Sequence, residues 1–294
     1  MVIVFNINFL AFEGLGATLA SICKNCSNTR ELNFNFLCSD ISKEDQEEIE
    51  HLLHKHDFKG TLSFIPFDAK KEFGHLRSLH GDWTAYGRLL IPELFSNQEH
   101  VVYLDTDLII NLDILDFKQF YSKDKPISAV PGCEVKWALE RDFLINIAHV
   151  RPNAMYFNSG VLIFNIQVWN TLRLTDKWRN FPSSYYPNFK SADQTVLNIL
   201  IAGDFLHLPN YFNNAWFPGK EEPSNMEYSI IHFVGSPKPW DFFGKTIHKG
   251  HGLFNYHNPL YWKKKYNGFT KGKLLRTNKI KKSIIKHLIK KIKK

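Results

Sequence analysis

Asp105 and Asp107 stand one residue apart in the apolar run Val101-Val102-Tyr103-Leu104-Asp105-Thr106-Asp107-Leu108-Ile109-Ile110. Such a run is ordinary for a strand covered on both faces. The carboxylates are not, because an ionised carboxylate is expensive to bury unless a cation compensates it. Two of them at a strand's end suit Mg²⁺ or Mn²⁺, hard cations that keep positions open for the oxygens of a substrate diphosphate. An isolated Asp-x-Asp also recurs by chance, with one aspartate capping a turn and the other facing solvent. The rest of the chain has to decide between these readings.

Late in the sequence, Ser229-Ile-Ile-His232-Phe-Val-Gly235-Ser-Pro237-Lys238-Pro239-Trp240 reads as a strand running into a rigid Gly/Pro turn. A lone histidine at a strand end is commonly structural. With Lys238 six residues on, however, the fixed turn offers an ammonium and amide donors to a diphosphate at little entropic cost. Asn158-Ser159-Gly160 interrupts a second buried strand, Tyr156 to Asn165, where the glycine marks either a bulge or a close approach to a ligand. Ala192-Asp193-Gln194-Thr195 opens a helix running to about Ala202, so Asp193 serves either the helix dipole or a ligand. Arg88 lies in an apolar set at helical spacing, Asp82 to Phe95, either ion-paired or reaching towards the first loop.

The elements that must position these groups alternate in type. Val2 to Asn6 is a β-branched and aromatic strand, followed by a loop and a small-residue helix, Glu13 to Asn25. Asn33 to Ser39 and Thr61 to Phe67 are further strands, and Ser42 caps an acidic helix, Lys43 to Lys55. Residues 111–150 mix helix and loop. The alternation, without an internal repeat, predicts an α/β fold around a mostly parallel sheet. Ligands of such sheets bind beyond the carboxyl ends of the strands, where the loop after Phe5, Asp105, Asp107, Asn158 and His232 would converge.

Composition fits a soluble globular protein: 44% hydrophobic and 22% charged residues in a chain of 294, enough to bury a full core. The net charge of +8 is unevenly placed. Residues 263–294 hold 14 Lys and Arg and no acid, which leaves 37 − 14 = 23 basic against 29 acidic residues before them. A basic tail on an acidic body argues for a surface-docking appendage and against nucleic-acid binding. Within it Ile280, Ile284, Ile285, Leu288, Ile289 and Ile292 recur on one helical stripe among lysines, the pattern of a helix lying in an anionic membrane interface. Four cysteines imply no disulfide framework, and Cys23-Lys-Asn-Cys26 reads as structural. The N-terminus lacks the pattern of a signal peptide, and no segment is apolar enough to span a membrane, so a cytoplasmic body is expected.

Taken in order, Val4-Phe5 with its loop, Tyr86-x-Arg88-Leu89, Tyr103-Leu-Asp105-Thr-Asp107, Phe157-Asn158-Ser159-Gly160-Val-Leu, Ala192-Asp193-Gln194-Thr-Val-Leu-Asn and His232-Phe-Val-Gly235-Ser-Pro-Lys238-Pro-Trp240 form a specific set. Over residues 1–262 the chain resembles the family-8 retaining glycosyltransferases, in particular bacterial lipopolysaccharide galactosyl- and glucosyltransferases, with glycogenin more distant. The resemblance implies a single GT-A type nucleotide-sugar-binding domain, 1–262, followed by a basic amphipathic tail, 263–294. It implies transfer of galactose or glucose from a UDP-hexose to a lipopolysaccharide-type glycan or glycolipid, with Mn²⁺ or Mg²⁺ held by Asp105, Asp107 and His232. Arg88 would lie along the donor, Gly235 and Lys238 would contact the diphosphate, Asn158 would sit near the transferred sugar, and Asp193 and Gln194 would line it as the catalytic pair. One departure stands out: relatives usually carry an acidic residue in the first loop, where this chain has Asn6-Ile7-Asn8-Phe9. An amide can still exchange hydrogen bonds with a base edge. The competing class is a non-catalytic nucleotide-sugar- or glycan-binding module on the same fold. With the resemblance in place, the helix from Ile280 to Lys294 is expected to attach the enzyme peripherally to the inner face of the cell membrane. Acceptor choice is expected in residues 111–150 and 210–223.

Overall fold

In the computed structural model, which describes residues 1–292, seven strands form one twisted mixed sheet in the order β3-β2-β1-β4-β7-β6-β8. They are β1 (Val2–Ile7), β2 (Asn33–Cys38), β3 (Thr61–Pro66), β4 (His100–Leu104), β6 (Ile127–Glu134), β7 (Met155–Asn165) and β8 (Leu206–His207). Three short strands, β5 (Leu108–Ile110), β9 (Asn214–Ala215) and β10 (Ile230–His232), make a second sheet in the order β5-β10-β9. β3, β2, β1 and β4 run parallel to one another, and β7 runs antiparallel to both β4 and β6.

Burial on both sheet faces explains the unbroken apolar strands. Val4, Val101 and Tyr103 pack on one side with Phe73, Tyr86 and Trp178. Their neighbours Ile3, Phe5, Val102 and Leu104 pack on the other side with helices α1 (Phe12–Asn25) and α2 (Lys43–Lys55). Successive residues of a strand point to opposite faces, so a two-sided core demands apolar residues throughout. Ser42 caps α2 as expected, its hydroxyl accepting the Asp45 N–H at 3.1 Å.

Several sequence expectations are corrected. The run 101–110 is two strands in two sheets, broken at Asp105-Thr106-Asp107, where the chain leaves the main sheet. Thr18 of α1 fixes this crossing: its hydroxyl reaches the carbonyls of Thr106 (3.0 Å) and Leu108 (2.8 Å) and accepts the Leu108 N–H. Residues 111–150 contain β6, hidden in the sequence because Pro131 and register shifts between Ala129 and Glu134 break its alternation. The helical set from Asp82 to Phe95 is a 3₁₀ helix, Thr84–Leu90, running into one α-turn, Ile91–Leu94. Asn158 is at no carboxyl end. It lies in the first half of β7, which reaches the site because β7 runs against β4 and pairs Val161 with Leu104.

The expected boundary between Trp262 and Lys263 falls inside a helix, Leu260–Tyr266, whose Trp262 and Tyr266 stack on Phe12. The last helix, Lys271–Ile292, is not a free appendage. Ile280 and Ile284 are buried against Ile247, with Leu288 packed beside them, whereas Ile285 and Ile289 are exposed. The single stripe expected from spacing is therefore divided between an inner and an outer face. The side chain of Ile292, and residues 293–294, lie outside the described residues. No helix among the described residues is long and apolar enough to cross a membrane.

Candidate active site

Asp105 and Asp107 flank the crossing between the sheets, and His232 ends β10 directly opposite, paired with Leu108. One ligand atom from each of the three lies within 4.8 Å of the others. The His232 Nδ1 lies 2.8 Å from the amide oxygen of Asn213. Because that oxygen can only accept, Nδ1 carries the proton and Nε2 turns its lone pair to the carboxylates, 3.2 Å from Asp107 Oδ1 and 3.8 Å from Asp105 Oδ2. Asp107 Oδ1 is buried and accepts no hydrogen bond. Gly160 forms the floor: a Cβ there would come within 2.4 Å of the His232 ring and 2.7 Å of Asp105 Oδ2. An orphaned carboxylate oxygen, a bare imidazole nitrogen and a cradle that only glycine leaves open fit a divalent cation, and the oxygen-rich donor set suits Mg²⁺ or Mn²⁺.

Lys238 completes the charge balance. Its ammonium sits 2.5 Å from Asp107 Oδ2 and also donates to the Phe233 carbonyl. Burial would raise the Asp107 pKa, but the Lys238 ammonium outweighs it and holds the carboxyl well below its usual range. The turn presenting Lys238 starts at Gly235, whose φ of +81° is left-handed and favours glycine.

Arg88 is the hub behind the carboxylates. Its Nη2 donates to Asp105 Oδ1 at 2.9 Å, its Nε contacts Asp193 Oδ2 at 2.9 Å, and its Nη1 donates to the carbonyl and hydroxyl of Ser159. The guanidinium also lies over the Tyr103 ring, 4.1 Å from its centroid. At 4% exposure it is an internal clamp between the two carboxylates. Asp193 begins the helix Asp193–Ile201 after Ala192, a non-glycine residue held at φ +50°. Burial pushes its carboxyl up to about 6, while the adjacent Arg88 pulls it down. Its second partner is the Ser159 hydroxyl at 2.8 Å.

Gln194 and Asn158 hold each other. The Gln194 amide oxygen accepts from Asn158 Nδ2 (2.9 Å) and the Ser159 N–H (3.2 Å), and its amide nitrogen donates to the Tyr156 hydroxyl (3.0 Å). Asn158 Oδ1 accepts from the Gly160 N–H and from Asn213 Nδ2, both at 3.0 Å.

In the first loop, Asn8 is committed to local structure. It caps a short 3₁₀ helix through Ala11 N–H and donates to Asp82 Oδ2 at 2.6 Å. Asn6 ties the carbonyls of Thr84 and Ala85 and so anchors the turn that carries Arg88. A cavity of about 220 Å³ opens beside them, lined by Asn8, Phe9, Leu10, Ser39, Asp40, Asp82 and Thr84. Asp82 and Asp40 place carboxylates on the wall of this cavity.

The sequence reading missed Asn213, Asp82 and Glu140. Glu140 is fully buried and accepts from the hydroxyls of Thr195 (2.5 Å), Tyr156 (3.2 Å) and Ser191 (3.2 Å), which fixes the Tyr156 hydroxyl that orients Gln194. Nothing local marks these residues, because each acts through a partner distant in the chain. Asn213→Ala is expected to weaken Mn²⁺ affinity about 10- to 100-fold, the usual cost of losing the group that orients a histidine ligand. Isothermal titration with Mn²⁺ measures it, and an unchanged affinity would remove Asn213 from the site. Cys23 and Cys26 stay unbonded, with burial pushing their thiols up to about 12 and about 11, consistent with structural residues.

A mixed sheet whose β4 delivers an Asp-x-Asp against a histidine from a second small sheet defines a glycosyltransferase of the GT-A class. The model of glycosyl transferase family 8 matches residues 2–244, and the chain belongs to that family. It is 24% identical over 249 residues to the lipopolysaccharide 1,3-galactosyltransferase of Salmonella typhimurium, covering 81% of this chain and 71% of that protein. To a lipopolysaccharide 1,2-glucosyltransferase of Escherichia coli it is 26% identical over 267 residues, covering 86% and 74%. Among solved structures, the galactosyltransferase LgtC in complex with donor and acceptor sugar analogs matches with a TM-score of 0.68 at 21% identity, covering 90% of this chain and 99% of that one.

Proposed function

We propose that this chain is a metal-dependent retaining hexosyltransferase that moves galactose or glucose from a UDP-sugar to a lipopolysaccharide-type glycan. The observation that carries this reading is the Asp105–Asp107–His232 cluster with Lys238 beside it, a cation site facing an ammonium at the end of a buried strand. Mn²⁺ or Mg²⁺ held by these three residues would supply positive charge to the departing diphosphate. Lys238, on leaving Asp107, would donate to the same diphosphate from the Gly235–Trp240 turn. The uracil would enter the cavity beside Asn8 and Asp82.

For the sugar, the hydrogen bonding favours support over covalent attack. Asp193 is held by Arg88 and Ser159, and both lone pairs of the Gln194 amide oxygen accept N–H groups. Asp193 is thus anchored through Oδ2, and the Gln194 oxygen is already occupied, which suits both to a supporting role. The acceptor hydroxyl would attack on the face the diphosphate leaves: the bond from carbon to phosphate oxygen breaks, the new glycosidic bond forms, and the acceptor's proton passes to the departing diphosphate. Mn²⁺-dependent release of UDP from UDP-galactose or UDP-glucose tests the reaction, and a glycosyl adduct on Asp193 seen by mass spectrometry would overturn the same-face route. Failure of every UDP-sugar would leave the non-catalytic module as the better reading.

The outer face of the last helix suits the inner surface of the cell membrane. Leu274, Leu275, Ile285 and Ile289 are each about half exposed among lysines that would meet anionic headgroups. Replacing Ile285 and Ile289 together by serine is expected to weaken sedimentation with anionic phospholipid vesicles by about tenfold or more, given the apolar area lost. Equal sedimentation would remove the idea.

A further inference from the structure

The inner face of the helix Lys271–Ile292 is polar as well as apolar, and several of its polar contacts fall on one segment, although Lys273 also donates to the Asn267 carbonyl at 2.8 Å. Arg276 grips both carboxylate oxygens of Asp241, with Nε at 2.6 Å and Nη2 at 2.9 Å. Lys273 reaches the Trp240 carbonyl at 3.3 Å, Ser283 the Ser236 carbonyl at 2.6 Å, and Lys291 the Thr246 carbonyl at 2.8 Å. The acceptors on Ser236, Trp240, Asp241 and Thr246 lie between residues 236 and 246, the stretch that presents Lys238. Asp241 is buried, and its Oδ2 also accepts the backbone N–H of Lys238 at 2.7 Å. A continuous path therefore runs from Arg276 through Asp241 to the Lys238 backbone. On the other side of the cleft, Lys279 donates to the His80 carbonyl at 2.8 Å, two residues before the Asp82 that lines the first-loop cavity. One helix thus ties both loops that border the candidate donor site.

We propose that Arg276 is a positioning residue for the donor. Through Asp241 it sets the 236–246 loop so that Lys238 meets the diphosphate, which makes the last helix part of the donor site as well as a surface-facing element. This rests on the sugar-nucleotide reading above. A helix that served only to tether the protein would need neither the Arg276–Asp241 ion pair nor these inward hydrogen bonds. Bidentate guanidinium–carboxylate pairing has the geometry to fix a loop, and an ammonium in the same place could not reproduce the fork. The diphosphate is already bound in the ground state and gains only part of its charge as it departs, so disordering its loop raises KM more than it lowers kcat.

The experiment compares full-length wild type, Arg276→Met, Arg276→Lys and the exposed-side control Asn278→Ala in lipid-free buffer. UDP binding with Mn²⁺ is read by calorimetry, kcat and KM by UDP release, and loop order by amide hydrogen exchange. Arg276→Met is expected to raise the Kd for UDP and the KM for UDP-sugar about tenfold, with kcat changed less than about threefold. Exchange should accelerate within residues 236–246 alone. Arg276→Lys should recover part of the loss, and Asn278→Ala should match wild type. Wild-type UDP affinity in Arg276→Met, or exchange accelerated across the whole chain, would overturn the proposal. If wild type itself binds no UDP, the sugar-nucleotide reading fails instead, and the exchange pattern still decides whether Arg276 orders the loop.

Discussion

Asp107→Asn is expected to lower Mn²⁺-dependent UDP release by roughly 10³-fold or more, the scale seen when a principal electrostatic stabiliser of a transition state is removed. Its fold should survive. The carboxylate has one oxygen with no hydrogen bond and the other on Lys238, so the amide can still accept from the ammonium. What disappears is the negative charge that holds the cation next to His232. The substitution separates function from stability: turnover collapses while the thermal midpoint moves little. Full turnover in Asp107→Asn with undiminished Mn²⁺ dependence would rule out Asp107 as a ligand. A large drop in the midpoint would assign Asp107 a structural role in its ion pair with Lys238.

Arg88→Met should behave in the opposite way, with stability as the leading loss. The buried guanidinium bridges the buried Asp193 and the partly exposed Asp105 and satisfies the Ser159 carbonyl. Methionine matches much of its volume yet leaves one or both carboxylates uncompensated. Removing one partner of a buried ion pair costs about 3–5 kcal/mol, more than the methionine's packing returns. Urea unfolding measures this as a lower midpoint. Arg88→Lys is expected to fall between, because a single ammonium cannot contact Asp105, Asp193 and Ser159 together. Wild-type stability in Arg88→Met would show that the carboxylates find compensation elsewhere. The two variants together distinguish a residue that meets the ligand from one that holds the site in shape.

Much of this architecture was legible in the chain. Two-sided burial forces near-continuous apolar strands, so Val2–Asn6 and Val101–Leu104 announced themselves, and the Ser42 cap marked the start of α2. The Asp-x-Asp and the His232–Lys238 turn were recognisable because local chemistry marks them: buried charge requires a partner, and a Gly/Pro turn is written into its own residues. Asp193-Gln194 was marked only by the family resemblance. The break at Asp105-Thr106-Asp107 was not legible. Apolar residues continue through Ile110, and only pairing with β10 shows that they belong to another sheet. β6 stayed hidden for a similar reason, since a bulged strand loses its period of two.

By itself the sequence determined which groups could do chemistry, because residue type fixes charge, ligand softness and turn geometry. It also determined that the last helix would be amphipathic. Only the tertiary structure decided how those groups are used. Arg88 became an internal clamp because both Asp105 and Asp193 fold around it, and Asn213 entered the site because β9 lies against β10. The last helix gained an inner and an outer face because residues 236–247 present Asp241 and Ile247 to one side of it. Helical periodicity states which residues share a stripe, and only a packed neighbour determines which part of that stripe meets protein.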